Sequence, residues 1–426
     1  MTIAIPAKLI SLFTVGIRGA GLAMRFLLSF YIIKFLGYEA AGVYGLSLGA
    51  IGLSPAILGF GLNYFLARDV VGVEPAEAGV RIKTRLTVTA IALLVATTAT
   101  LVGTLALGHE LKPIYVLITL LVWFETFSND INVSLIASEM PFQANVLIFV
   151  RMAIWVPFVI VAGLVVPSLR SIEVVFIGWI VAYVVYAALL FYFVRGWPLS
   201  RILHAPLEYS WIRERAKQTW FIYLSDLGMV GSMYVDRYVV SFLLGLKQVG
   251  LYTFYWSLTN ALQTLVGTAV AQLALPALYK AFRVGSVAGW SEEMRRQMLK
   301  VAGFAGVLAV LIYAASQVIF RFMSMAEVAE HSGVFLMLLT ATVIRCTSDV
   351  FNIGLMSAHK DRHYGLINMG GVILSVVVTY SSIKLFGFVG TGIGAIVTAV
   401  ILASVRGSIL WRFATTAPSP RPAMPS

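Results

Sequence analysis

Residues 172–194 read IEVVFIGWIVAYVVYAALLFYFV, 23 positions with a single charge at Glu173. Stretches of this kind return along the whole chain. A helix needs about 20 mostly apolar residues to cross the hydrocarbon core of a bilayer. Twelve such stretches can be drawn, over 8–34, 40–67, 86–107, 113–137, 145–166, 172–194, 218–244, 249–279, 301–321, 333–357, 363–383 and 389–411. The breaks fall where helix-stopping residues gather, as at Gly72-Val73-Glu74-Pro75 and Gly196-Trp197-Pro198. The 426 residues are 60% hydrophobic and only 12% charged, against about 25% charged in a soluble domain. That excludes a soluble fold and a disordered chain. One cysteine, Cys346, excludes a disulfide-stapled scaffold. The expected fold class is an all-α polytopic membrane protein with twelve transmembrane helices.

Lys and Arg set the orientation. With the N-terminus cytoplasmic, the inner connections hold 19 of them and the outer connections six. The positive-inside rule therefore predicts that both termini are cytoplasmic. The net charge of +12 then reflects inner loops facing anionic lipid, and no soluble basic domain is present to bind nucleic acid. Arg18 and Arg25 interrupt the first apolar run, unlike the clean core of a cleaved signal peptide. Two inner connections, 198–217 and 281–300, mix aromatic and basic residues and are expected to lie as helices at headgroup level. Residues 414–426 read as a disordered tail.

Leu36-Gly37-Tyr38-Glu39-Ala40-Ala41-Gly42-Val43-Tyr44 matches Leu244-Gly245-Leu246-Lys247-Gln248-Val249-Gly250-Leu251-Tyr252 at an offset of 208 residues, close to half the chain. Both copies turn an outward-running helix into the next one, and glycine suits a corner where a side chain would clash. The offset implies two parallel six-helix repeats, an arrangement of transporters with the substrate between the halves. The expected domains are a bundle over 1–196, an interfacial connector over 197–217, a second bundle over 218–413 and the tail. The Leu-Gly-x-x-x-x-Gly-x-Tyr corner, with Asp236-Arg237-Tyr238 before its second copy, resembles the polysaccharide exporters of the multidrug/oligosaccharidyl-lipid/polysaccharide superfamily. Within that superfamily the chain is most similar to Wzx-type oligosaccharide-lipid flippases. The resemblance implies a V-shaped, MATE-like transporter working by alternating access in the bacterial cytoplasmic (inner) membrane. It implies a polyprenyl-pyrophosphate-linked glycan as substrate, turned from the cytoplasmic to the outer leaflet. Membrane lipids, a polysaccharide polymerase and glycosyltransferases are the implied partners.

Charges inside spans cost about 2.5–3.5 kcal/mol each on insertion scales and are functional candidates by default. Arg18 and Arg25 stand seven residues apart, hence on nearly one helix face and about 10.5 Å apart along the axis. Gly16, Gly19 and Gly21 thin the backbone around them. Two guanidinium forks suit a pyrophosphate, whose oxygens Arg grips bidentately. The competing expectation pairs them with Glu125 and Asp130 in internal salt bridges. Arg151, Arg237 and Arg345 are further candidates for substrate contact. Arg345 and Asp349, four residues apart, are expected to pair with each other. Asp226, Asp236, Asp349 and Glu125 are candidates for ion coupling, with H⁺ or Na⁺ as the ion, because burial favours the proton-loaded carboxyl. No cofactor or metal is expected, since His204, His331, His359 and His363 sit at or near loops without a ligand cluster.

Two other functions compete. An organic-cation or multidrug exporter needs an acidic first helix, which Arg18 and Arg25 deny it. A membrane glycosyltransferase or polymerase needs a sizeable outer loop or an acid/base pair, and Glu110 or Glu173 alone makes neither. A transporter, not an enzyme, is expected.

Overall fold

The computed structural model describes residues 7–284, 286–323 and 325–416, with the side chains of 7–15, Arg18, 269, 271–273, 284, 361 and 416 outside the description. Among the described residues every regular element is a helix. In chain order these are α1 (Ala7–Tyr31), α2 (Tyr38–Gly59), α3 (Leu62–Val70), α4 (Pro75–Ala106), α5 (Pro113–Ala137), α6 (Pro141–Phe149), α7 (Val156–Val165) and α8 (Ile172–Val194). There follow α9 (Leu199–His204), α10 (Tyr209–Leu244), α11 (Leu246–Val284), α12 (Val287–Phe322), α13 (Ala326–Glu330), α14 (Ser332–Ser357), α15 (Asp361–Phe386) and α16 (Val389–Thr416). Turns of π-helix prolong α1 over Ile32–Leu36 and join α6 to α7 over Val150–Ile154. Among the described residues, eleven helical stretches are long and apolar enough to cross a membrane. The chain is a multi-pass membrane protein. The expected span over 249–279 falls in α11, 39 residues long, which is not among those eleven.

The outward faces show what solvent these helices meet. On α4, Ile91, Leu94 and Val95 are each more than half exposed, and on α7 Phe158 is 72% exposed. In water such faces would aggregate, whereas in a bilayer they meet hydrocarbon. Apolar burial then drives little helix association, and packing with interhelical hydrogen bonds carries more of it.

Two compact units divide the chain, Met1–Val230 and Gly231–Ser426. The first is centred on Tyr44, Phe176, Trp155 and Trp179, the last two stacked with ring centroids 5.9 Å apart. In the second, Tyr255 stacks on Phe335 at 5.4 Å and its hydroxyl donates to the Val328 carbonyl at 2.6 Å. The duplicated corners have the same geometry in both units. Gly37 and Gly245 take φ of +93° and +85°, and each carbonyl accepts from the amide four residues on, at 3.1 and 3.2 Å. An L side chain disfavours that conformation, which is why glycine recurs there.

Two connections differ from expectation. Residues 287–300 are not a separate helix at headgroup level but the first four turns of α12, continuous with its apolar part. Ser286 caps the start by accepting from the Gly289 amide at 3.1 Å, and the following SEEMRRQMLK is helix-forming without a breaker. Of the 198–217 connector, only Leu199–His204 forms a separate helix, while 209–217 open α10. Residues 417–426 of the expected tail lie outside the described residues.

The expected span over 40–67 is broken between α2 and α3, where Phe60 and Gly61 both take left-handed φ, +51° and +68°. The first turns of α10 fill the notch. Tyr223 donates its hydroxyl to the Ile57 carbonyl at 3.1 Å, and a Cβ on Gly61 would lie 3.0 Å from the Tyr223 amide nitrogen. Gly61→Ala therefore combines steric overlap with backbone strain and should cost about 1–3 kcal/mol. Gly72 takes φ of +71° with open space around it. Its alanine variant should lose only the conformational part, about 1–2 kcal/mol. Melting midpoints of the two purified variants in detergent check this. Equal loss at both sites would mean that the α10 contact is soft.

Candidate functional site

α1 carries an arginine, Arg25, that makes no ion pair among the described residues. It is half-buried, and its guanidinium makes no side-chain hydrogen bond among them either. Gly21 stands one turn before it on the same face, with no atom within 4 Å of a Cβ built there; the same holds at Gly16 and Gly19. The glycines thus leave space along the helix that no described neighbour fills. Arg18 is in α1, but its side chain lies outside the described residues.

The carboxylates expected as alternative partners are taken. Glu125 on α5 pairs with Arg151, which sits in the π-helical turn between α6 and α7. Tyr183 of α8 donates its hydroxyl to the same carboxylate, and Arg151 donates from Nη1 to Ser128 Oγ at 3.0 Å. One turn further along α5, Asp130 accepts from Asn63 at 2.7 Å, Thr89 at 2.5 Å and Arg85 at 3.2 Å. Asn63 in turn accepts from Arg85 Nε at 2.9 Å. Arg85 and Asp130 are both 0% exposed. Glu125 and Asp130 are thus engaged by Arg151 and Arg85, which approach α5 from other helices, and the expected pairing of Arg25 with either carboxylate does not form; that of Arg18 lies outside the described residues. Asn63 follows the Phe60–Gly61 break by two residues, so that break helps aim its amide at Asp130.

Arg85 was not legible as a site residue. It stands at the edge of an apolar run, where an arginine reads as a loop or snorkelling residue. Removing it from the inner positive count leaves 18 against six, so the charge asymmetry stands.

In the second unit, Asp236 and Arg237 are tied to the duplicated corner. Tyr252, the last residue of the repeat, donates its hydroxyl to Asp236, and the Arg237 amide donates to Asp236 Oδ1 at 2.8 Å. The Arg237 guanidinium is fully buried, 3.8 Å from the Trp256 ring centroid and 4.9 Å from that of Tyr234. Asp349 does not form its expected ion pair with Arg345. It faces Arg406 of α16 at 3.8 Å and accepts from Asn352 at 3.3 Å. Arg406 also donates to Ser348 at 2.9 Å and Asn368 at 3.4 Å. A residue on a packed neighbour thus outcompetes the i,i+4 partner, and Arg345 makes no ion pair among the described residues. Asp226 on α10 is half-buried and likewise without an ion pair or side-chain hydrogen bond among them.

Each unit therefore holds a carboxylate–arginine–hydroxyl cluster: the buried Glu125, Arg151 and Ser128 in one, and the half-buried Asp349 with the buried Arg406 and Ser348 in the other. Against that background, Arg25, Arg345 and Asp226 are candidate residues that make no ion pair among the described residues. Among the described residues no group of three or more His, Cys, Asp or Glu could hold a metal.

The profile of a family described as polysaccharide biosynthesis protein matches residues 6–282, more than half of the chain. The chain belongs to the polysaccharide biosynthesis protein family. No curated protein matches it. Among solved structures, an inward-facing multidrug resistance MATE family transporter of the MOP superfamily is similar at 14% identity and a TM-score of 0.72. That match covers 93% of this chain and 96% of the other. The lipid II flippase MurJ, in an inward closed conformation, is similar at 12% identity and a TM-score of 0.69, covering 96% and 88%. At such identities the likeness establishes the fold. Those two solved structures are of a transporter and a flippase. The membership bears out the resemblance carried by the glycine corners and the Asp236-Arg237-Tyr238 motif.

Proposed function

We propose that this member of the polysaccharide biosynthesis protein family flips polyprenyl-pyrophosphate-linked oligosaccharide units across the bacterial inner membrane by alternating access. The observation that carries the reading is Arg25. A positive charge within a span, with no neutralising partner among the described residues, has its cost offset when it meets an anion. The Arg–pyrophosphate match is bidentate, and Arg18, seven residues earlier in the sequence, is the proposed second fork. Arg151, Arg237 and Arg406, each buried among its own contacts, serve packing in this reading. Arg345 remains a further contact for the glycan-bearing anion. Asp226, a half-buried carboxylate without an ion pair among the described residues, is the proposed site of H⁺ or Na⁺ coupling. An organic-cation exporter is disfavoured because Arg25 repels its cargo.

The positive-charge asymmetry supports cytoplasmic termini, and the substrate supports glycosyltransferases before and a polymerase after this step. Deleting the gene should stop surface polymer while lipid-linked repeat units accumulate on the cytoplasmic leaflet, read by protease-free glycan labelling of intact and opened cells. Repeat units that still reach the outer leaflet at the normal rate would refute the assignment.

A further inference from the structure

The first unit contains a chamber of about 440 Å³ walled by α4, α5 and α8 and roofed by the short helix α9. Leu86, Ala90, Ile131 and Leu190 form its walls, and Ile202 and Leu203 its roof. The volume lies within the range of small-molecule pockets, about 300–1,000 Å³. Three of the four helices are spans, so the medium that reaches this apolar space is the bilayer.

Its rim is basic. Lys83 lines the chamber and donates from Nζ to the carbonyls of Leu203, at 3.3 Å, and Ala205. An ammonium has three donors, so one remains to meet an acceptor. Arg195 and Arg201, both exposed, adjoin the lining residues Val194 and Ile202 in sequence. No carboxylate lines the chamber, and nearby Glu208 is engaged by Arg81 at 3.6 Å. Trp197 completes the lining, and its indole is of the kind that sits at headgroup level.

The fold makes this roof possible through Gly79, also a lining residue: a Cβ there would lie 2.8 Å from Ile202 Cγ1. Glycine there lets Ile202 of α9 lie directly against α4. The roof is nonetheless open at its edge, where Leu203 is 70% exposed.

We propose that this chamber binds one acyl chain of an anionic phospholipid, with the headgroup phosphate accepting from Lys83. The chain fills the apolar space beneath α9 and holds that connector against α4. None of its described lining residues belongs to α1, and the proposal does not depend on what the protein carries.

Native mass spectrometry of the full-length protein, delipidated in a neutral detergent and titrated with single lipids, tests it. Phosphatidylglycerol should leave one tightly held adduct, retained at least tenfold better than phosphatidylcholine. Ala90→Trp, which puts an indole into the chamber, should abolish that adduct. If this variant does not fold, Lys83→Gln serves instead and should erase the preference for phosphatidylglycerol over phosphatidylcholine. Equal retention of the two lipids, or an adduct unaffected in the folded variant, would overturn the proposal. So would displacement of phosphatidylglycerol by polyprenyl phosphate, since the chamber would then belong to the carrier lipid.

Discussion

Arg25→Ala should stop delivery of glycan to the outer leaflet while the protein accumulates in the membrane and melts no lower than the parent. The two halves of that outcome come from the same observation. Hydrogen bonds to charged groups contribute about 1.5–3 kcal/mol each. Losing one guanidinium from a pyrophosphate should therefore weaken substrate capture by roughly ten- to a hundredfold. The folded protein, however, has no ion pair there to lose among the described residues, and removing an uncompensated intramembrane charge relieves a cost. Arg18→Ala should behave alike in export. Arg25→Lys should keep part of the export, because charge survives while the planar fork does not. Radiolabelled repeat units followed in a complemented deletion strain give the first readout, and melting in detergent the second. Normal export from the Arg18→Ala, Arg25→Ala double variant would sink the substrate-site reading. Lost export together with a much lowered melting point would instead make Arg25 a structural residue.

What the sequence revealed and what it hid divide along a physical line. Helix positions were legible because a bilayer demands long apolar runs, and Ile172–Val194 was delimited to the residue. The corners at Gly37 and Gly245 were legible because their positive φ excludes most side chains. Partner choice was not. Asp349 has Arg345 four residues away, yet its nearest cation is Arg406, 57 positions further on. Glu125 and Asp130 find Arg151 and Arg85 on helices that one-dimensional spacing cannot bring near. The Phe60–Gly61 break was also hidden, because Phe60 adopts a left-handed φ that its own chemistry disfavours. Local demands on the backbone leave a mark in the sequence, whereas the match between two helices leaves half a mark in each.

The strongest structural consequence concerns Asp130. Asp130→Ala should lower stability by about 3–5 kcal/mol, because it strands the fully buried Arg85 without its counter-charge. Asn63 and Thr89 would lose an acceptor as well. Arg85→Met alone should cost about as much, for it leaves the carboxylate buried and unpaired. Replacing both, as in Arg85→Met with Asp130→Leu, should recover most of the loss, since an apolar pair of similar volume removes both desolvation costs together. The test is a double-mutant cycle on purified protein, read as detergent melting midpoints and denaturant midpoints. A coupling of about 2 kcal/mol or more is expected, well above the ~0.6 kcal/mol average for interhelical hydrogen bonds in membranes. Additive losses would mean that Asp130 and Arg85 are held by their other neighbours and not by each other. The same cycle distinguishes the two kinds of arginine in this chain. Arg85 is there because a carboxylate needs it, so its removal should be felt in stability. Arg25 has no such partner among the described residues, and its removal should be felt in transport.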